Sequence, residues 1–425
     1  MKSIAEINEK LKQGKAIILT AQEFKAAIRN GKKISPKDVD VVTTATCGVM
    51  SGTAAILSIP IEGPGKFKGV QEISLNDVPA FPGPCPNENL GIVEAILYGT
   101  TPSKKDPKRY GGGHVFYDLV SGKSIKVKIK TNEGDVIEAA IGLKDLEFAR
   151  MFTTRACFKN YLAMINTKPG VIETIFSVQG LKGPYREVTV SGCGELNPLE
   201  NDRYLKTIGI GTKILLNGAI GYIMGKGTRS SSKKPNLTLS GDMQAMKPEF
   251  MGGVITGHTP DCMTSVAIPI PVVDEEIFEN LKIQDEQIEL PVVDIHDRSP
   301  IAKANYGNVW QGKDLKIIFN EKVCASCTFR EKCFVEEICP SASFKKDKGI
   351  DSKKCFNCGA CVFACPEHAF QANLGTIKIH DREVPITLRQ SNRIRAEKLA
   401  SELKSLIYEG YFTLTPKVAD INLGR

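Results

Sequence analysis

A chain of 425 residues, 42% hydrophobic and 24% charged, has the composition of a folded protein of two or three domains, which excludes a disordered or fibrous one. No run of about 18 apolar residues offers a membrane span, and the charged first fifteen residues lack the apolar core of a secretory signal, so no membrane contact and a cytoplasmic location are expected. The net charge of +8 is spread thinly and is not interleaved with aromatics; this argues against nucleic acid and suits a small anionic substrate or an acidic protein partner.

The start reads as helix, strand, helix. Ser3 with Glu6 and Thr20 with Glu23 have capping-box spacing. Phe24, Ala27 and Ile28 form an apolar stripe that Gly31 closes. Val39 to Thr43 reads as a buried strand that runs into a turn of small residues over 44–53. His114–Val120 and Ser124–Lys130 read as a hairpin around Ser121, Gly122 and Lys123. Residues 155–166 read as helical, and 208–224 as strands with tight turns. Residues 269–311, rich in proline and acid, read as a linker or crossover. Beyond Leu315 come a short strand, two cysteine clusters, two strands near Thr376 and Glu383, and a helix from Ser391. That helix places Leu399, Leu403, Leu406 and Ile407 on one face and ends at Gly410.

Thirteen cysteines are many for a compartment where thiols stay reduced, so spacing matters more than number. Eight of them lie between Cys324 and Cys365. Cys355-x2-Cys358-x2-Cys361-x3-Cys365-Pro366 has the bacterial ferredoxin spacing, in which three thiolates of one loop hold one cluster and the fourth cysteine ligates the other. Cys324-x2-Cys327-x5-Cys333-x5-Cys339-Pro340 is a stretched version of the same run. Two [4Fe–4S] clusters are therefore expected, one on Cys324, Cys327, Cys333 and Cys365, the other on Cys355, Cys358, Cys361 and Cys339. Structural zinc normally uses two cysteine pairs across a longer knuckle, unlike this run. The fold class is α+β: a large mixed α/β domain over 1–275, a linker over 276–313, a two-cluster ferredoxin-like domain over 314–390, and a C-terminal helix and tail over 391–425.

The first domain carries no complete nucleotide motif: Gly122-Lys123-Ser124 resembles a P-loop end, but Tyr117 stands where the first glycine belongs. Asp294, His296 and Asp297 fit a solvated loop better than a metal site. His114 follows three glycines that let backbone approach a ligand or simply form a tight turn. Among the isolated cysteines, Cys47 lies in the expected turn of small residues, where backbone N–H groups favour thiolate. Cys193, in Ser-Gly-Cys-Gly-Glu, has a similar setting. Cys85 and Cys262 are further candidates, and Cys157 reads as packed.

Several long segments carry a resemblance: NDVPAF, GGGHVFYDLVSGK, NPLENDRYLKTIGIGTKILLNGAIGYIMGKGT, GDMQAM and IPIPVVDEE. Residues 1–275 resemble the archaeal homocysteine-biosynthesis family, the aspartate-semialdehyde sulfurtransferases. The fused cysteine-rich segment resembles the methanogenesis marker 16 metalloprotein branch. The resemblance implies conversion of an aldehyde into a thiol with sulfide as the ultimate sulfur source. It also implies cysteines in an M-C-S-S-G turn and a T-D-C-Y-P segment. This chain reads Met50-Ser51-Gly52-Thr53 at the first, so Ser51 replaces the cysteine, and residues 131–135 hold none. Cys47, four residues earlier, is the stand-in, and Cys193 gains nothing from the family.

The expectation is a reductive sulfur insertion into a small anionic aldehyde, with a sulfide donor, a low-potential electron donor and electrons passed by the clusters. In a methanogen the resemblance points to thiol-coenzyme precursors, coenzyme M among them. The alternative is a non-enzymatic iron–sulfur carrier or maturation factor for a methanogenesis enzyme.

Overall fold

The computed structural model describes residues 2–83, 88–159, 161–327 and 333–423. Cys85 lies outside them. Both expected capping boxes are present: Glu6 N–H donates to Ser3 Oγ and Glu23 N–H to Thr20 Oγ, each at 3.1 Å. The helices Ile4–Lys12 and Ala21–Arg29 flank the strand Ile18–Thr20.

The expected buried strand runs further than its apolar start suggests. It spans Val41–Val49, pairs parallel with Ile18–Thr20 and antiparallel with Pro260–Pro271, and is buried along almost its whole length. The turn expected over 44–53 shrinks to Met50–Gly52, because alternating Thr, Ala and Cys suit a strand packed on both faces. The next strand, Thr53–Pro60, pairs with Phe148–Ala156 and Ile92–Tyr98.

These strands belong to one fourteen-stranded sheet among the described residues. From Val41–Val49 the order passes through 260–271, 213–216, 219–226, 237–242 and 148–156 to 53–60. Six interstrand steps of about 4.8 Å would separate the first and last of these by about 29 Å in a flat sheet. The four residues from Val49 to Thr53 reach at most about 14 Å. The sheet therefore curls until the two strands meet at their shared turn.

A second sheet has the order 300–305, 289–294, 163–165, 188–190, 382–389, 376–379. It draws strands from three of the four regions that the sequence seemed to separate. Residues 276–313 are consequently not a linker: they form the helix Glu275–Lys282, the strands Glu289–Asp294 and Pro300–Asn305, and the short helix Gly307–Trp310. Their prolines sit at sheet positions and their alternating Leu290, Val292 and Tyr306 fill a core.

Two other expectations fail. Gly112–Val120 is a helix, not the first arm of a hairpin. Val115, Phe116 and Leu119 are its buried face, an i, i+1, i+4 pattern that only a helix gathers on one side. Only the second arm, Ile125–Thr131, is a strand. Residues 155–166 are not helical: the strand Phe148–Ala156 ends there and Ala163–Ile165 joins the second sheet. Residues 208–224 do form strands and tight turns, and strands lie at Thr376–Ile379 and Arg382–Arg389.

The cysteine-rich segment leaves and returns at one place. Asp314 N–H donates to Asn373 O at 3.0 Å, Asn373 N–H donates to Asp314 Oδ2 at 2.7 Å, and Ile318–Phe319 pairs with Phe370–Gln371. After the return, the chain enters the second sheet and then the helix Arg393–Tyr408, capped by Asn392 rather than Ser391. That helix lays Leu399, Leu403 and Ile407 in the main core.

Candidate functional site

The eight clustered cysteines sort into two groups of four. Cys324, Cys327, Cys333 and Cys365 line one cavity of about 460 Å³ with Phe334 and Phe370. Cys339, Cys355, Cys358 and Cys361 line another, tighter one of about 20 Å³ beneath Phe344 and Phe356. Each group takes three cysteines from one motif and the Cys-Pro cysteine from the other, the exchange that the spacing implies. Burial pushes the thiols of Cys324, Cys355, Cys358 and Cys361 up, and neighbouring cysteines of the same group add to it. Two backbone donors already point at sulfur: Ser343 N–H to Cys339 Sγ and Asn357 N–H to Cys355 Sγ, both 3.4 Å.

The donor set, four thiols in an apolar shell, fits an iron–sulfur cluster. A single ion asks for ligands about 2.3 Å from one point, and among the described residues no three His, Cys, Asp or Glu side chains are gathered in that way. A four-iron cluster binds thiolates at its separate corners and tolerates a wider set. In the tighter group the thiols would part to admit it.

A third cavity, of about 70 Å³, lies where the curled sheet meets the second sheet. The strand end and turn Thr46–Ser51 form one side, Arg155, Cys157 and Tyr161 a second, and Ser191, Gly192, Gln390 and Ser391 a third, with Phe158 and Phe176 among the apolar residues between them. The segment 389–392 is the seam. Arg389 N–H donates to Cys358 O at 2.8 Å, Val49 N–H to Gln390 O at 3.0 Å and Asn392 N–H to Cys47 O at 3.0 Å. Ser391 Oγ accepts from Gly192 N–H at 2.8 Å. Gly48 permits this closeness, because a Cβ there would come within 3.0 Å of Gln390 O and Ser391 Oγ. A wall of the cavity is thus one residue removed from a hydrogen bond to a cluster-motif cysteine.

Cys47 and Cys193 are not the exposed thiols expected, whereas Cys157 is packed as its sequence suggests. Cys47 lies mid-strand with no exposed surface. Burial raises its thiol, and the nearby Arg395 charge offsets only part of that. Cys193 is equally buried and pushed up to about 12, chiefly by burial. Its Sγ takes Cys47 N–H and gives to Cys47 O, each at 3.5 Å. The flexible reading of its glycines fails because Gly192 and Gly194 adopt positive φ against Tyr306 and Asp285. Cys157 and Cys262 are raised strongly by burial too. Cys157 alone of these reaches the cavity wall.

Ser51 stands on the cavity, and its hydroxyl is 2.6 Å from Asp261 Oδ2. Asp261 also accepts from Cys262 N–H at 2.7 Å. It is fully buried, and burial lifts its carboxyl to about 6 against the lowering effect of Ser51 and Arg155. A carboxyl poised there can give or take a proton near neutral pH. Sequence reasoning missed Asp261 and Arg155. The signal for Asp261 was present: it is the one charged residue in a twelve-residue strand that is buried throughout.

His114 does not meet this cavity. Burial lowers its imidazole to about 4, so it is neutral, and it packs on Tyr110. Asp294 and His296 are loop partners: Asp294 accepts from Thr167 Oγ and His296 N–H, and His296 Nε2 meets Asn166 Oδ1.

A family described as homocysteine biosynthesis enzyme, sulfur-incorporation, matches residues 16–414. An uncharacterized protein of Methanothermobacter thermautotrophicus is 43% identical over 97% of this chain and 94% of its own length. L-aspartate semialdehyde sulfurtransferases are also similar. That of Methanocaldococcus jannaschii is 36% identical over 74% of this chain, and that of Methanosarcina acetivorans 32% over 73%. The matches span 63% of each sulfurtransferase's own length. No solved structure matches. The match over 16–414 takes in the cysteine-rich segment and the final helix, so the family region is not confined to 1–275 as the quoted segments suggested.

Proposed function

Since the chain belongs to the homocysteine-biosynthesis, sulfur-incorporation family, we propose that it inserts sulfur reductively into a small anionic aldehyde. In the balanced reaction one aldehyde, one hydrogen sulfide, two electrons and two protons give one thiol and one water. The carbonyl oxygen leaves as the water, and a carbon–sulfur bond replaces the carbon–oxygen bond. Bound [4Fe–4S] clusters would supply the electrons singly, drawn from a low-potential donor. Cys324, Cys327, Cys333 and Cys365 would hold one, in a ferredoxin-like segment, and Cys339, Cys355, Cys358 and Cys361 the other.

The observation that carries this reading is the seam. Arg389 bonds to Cys358 O, and the next two residues wall the cavity that holds Ser51. Behind the cavity wall, Asp261 in its protonated form can give the proton that the carbonyl oxygen needs and Ser51 can relay it, because the two oxygens are 2.6 Å apart. The apolar walls of Phe158 and Phe176 limit water. A hydroxyl at residue 51 cannot carry sulfane sulfur as a thiol can, so free sulfide is the form of sulfur that this site suits. Among the methanogen thiol coenzymes, a coenzyme M precursor of two carbons matches the small volume.

Ser51 and the buried thiols favour a second reading, an iron–sulfur carrier or maturation factor whose body only recognises a partner enzyme. One experiment separates the two. Anoxic full-length protein, reconstituted with iron and sulfide, is given candidate anionic aldehydes, sulfide and a low-potential reductant. Thiol formed catalytically supports the enzyme; protein that takes up and releases electrons but forms no thiol from any aldehyde supports the carrier.

A further inference from the structure

The body cavity contains one charged side chain, Arg155, among its described lining residues. Its setting is unusual for an arginine. No acidic side chain lines the cavity, and among the described residues no ion pair engages its guanidinium. Its Nε is buried without a hydrogen-bond partner. The guanidinium lies 5.2 Å from the ring centre of Phe158, which holds the planar fork in one orientation. Burial lowers its affinity for a proton, and Tyr161 and the Asp261 charge offset part of that, so a half-buried cation faces the cavity.

The turn that carries Ser51 is fastened to the same strand. Thr154 N–H donates to Gly52 O at 3.0 Å, and a Cβ on Gly52 would lie 3.1 Å from Arg155 Cγ. Arg155 and Ser51 are therefore held side by side. One is a cation with unused donor capacity, the other a hydroxyl backed by a buried carboxyl.

We propose that Arg155 binds the single anionic group of the substrate and that Ser51, held in place by its bond to Asp261, hydrogen-bonds the oxygen at its other end. The inference rests on the reading of this cavity as the aldehyde site and adds the recognition. The ligand class is a two- to four-carbon molecule with a sulfonate or carboxylate at one end and a carbonyl or hydroxyl at the other. A cavity of about 70 Å³ is far below the roughly 300–1,000 Å³ of sites for large ligands. A second anionic group would find no second cation on its walls.

The test is calorimetric and uses the full-length chain without sulfide or reductant. The probes are 2-hydroxyethanesulfonate, ethanesulfonate, which lacks the terminal oxygen, and ethylene glycol, which lacks the charge. Wild type should bind the first more tightly than the second and the third not at all. Arg155→Gln should weaken both sulfonates at least about tenfold, and Arg155→Lys less, because charge remains while the fork is lost. Ser51→Ala should bring 2-hydroxyethanesulfonate down to the affinity of ethanesulfonate and leave the latter unchanged. Thermal melting of each variant is measured first, and Arg155→Lys serves if Arg155→Gln does not fold. Wild type that binds neither sulfonate, or Arg155 variants that bind as wild type does, would overturn the anion site. Ser51→Ala that keeps the preference for the hydroxylated probe would overturn the second contact. Because no thiol is made in this experiment, failure of the sulfur-insertion reading leaves its outcome unaffected, and the reverse holds.

Discussion

Asp261 sets the chemistry of a single residue against its surroundings. A carboxyl whose pKa rises on folding favours the folded state at low pH, and that advantage is lost as pH climbs through the folded value. For Asp261 the loss falls between the ordinary Asp range and about 6. Asp261→Asn keeps a partner for Ser51 and cannot ionise. Relative to wild type it should gain on the order of 2 kcal/mol on passing from acid to neutral pH. Melting curves of both proteins at about pH 4.5 and about pH 7.5 check this; a gap independent of pH would mean that the carboxyl does not titrate there. The thiols give a second expectation. Iodoacetamide should leave Cys47 and Cys193 unlabelled in the native protein and modify both once it is unfolded, as peptide mapping would read; rapid native labelling of Cys47 would contradict its burial. At this scale the sorting of the eight clustered cysteines into two groups of four was legible because three of each group lie close in sequence, whereas the setting of Cys47 was not. Thr, Cys and Gly in a row look like a turn until Ser265 on the opposite strand is known to face Cys47.

The C-terminal helix shows what holds an element in place. Arg393, at its first turn, donates to Asp285 Oδ2 at 2.5 Å and to Glu195 Oε1 at 2.9 Å. Arg29 reaches the same Glu195 through two bonds of 2.6 Å. Both acidic side chains are almost wholly buried. Arg393→Ala would leave the buried Asp285 without its cation while Arg29 still holds Glu195, a loss of about 3–5 kcal/mol, seen as a fall in the melting temperature. A variant that melts with wild type would show that the network contributes little. The helix itself was readable from its leucines, and the first helices from their capping boxes. Gly112–Val120 was misread for a specific reason. Its three preceding glycines look like a turn, yet a Cβ on Gly113 would collide with the backbone at Asp261 and Cys262, a tertiary demand that local pattern cannot express.

At the scale of the whole molecule the boundary at 275 dissolves. The strand Ala163–Ile165 pairs with Glu289–Asp294, and Val188–Val190 pairs with Arg382–Arg389. A fragment of residues 1–275 would expose both edges, so it should be insoluble or lack a cooperative melt. A fragment that melts as sharply as the full chain would disprove this. The cysteine-rich excursion behaves differently. Bridging Asp314 to Asn373 with a few glycines should leave an iron-free body that folds but melts lower, because Phe356 leaves the main core and Arg395 loses its carbonyl partners at Lys353, Lys354 and Cys355, checked by circular dichroism and iron content. The intact anoxic chain should hold about eight irons and eight labile sulfides. Parallel and long-range pairings of this kind leave no mark on local composition, which is why proline-rich strands passed for a linker.

The hydrogen-bonded neck at Asp314 and Asn373 has a bearing on the protein's life in the cell. A chain that leaves and returns through one neck can pair the strands of its two large sheets before any iron is bound, so filling of the proposed clusters would be a late and repeatable step. Exposure to oxygen would then strip the excursion and spare the scaffold, leaving a protein that can be recharged in place and need not be synthesised again.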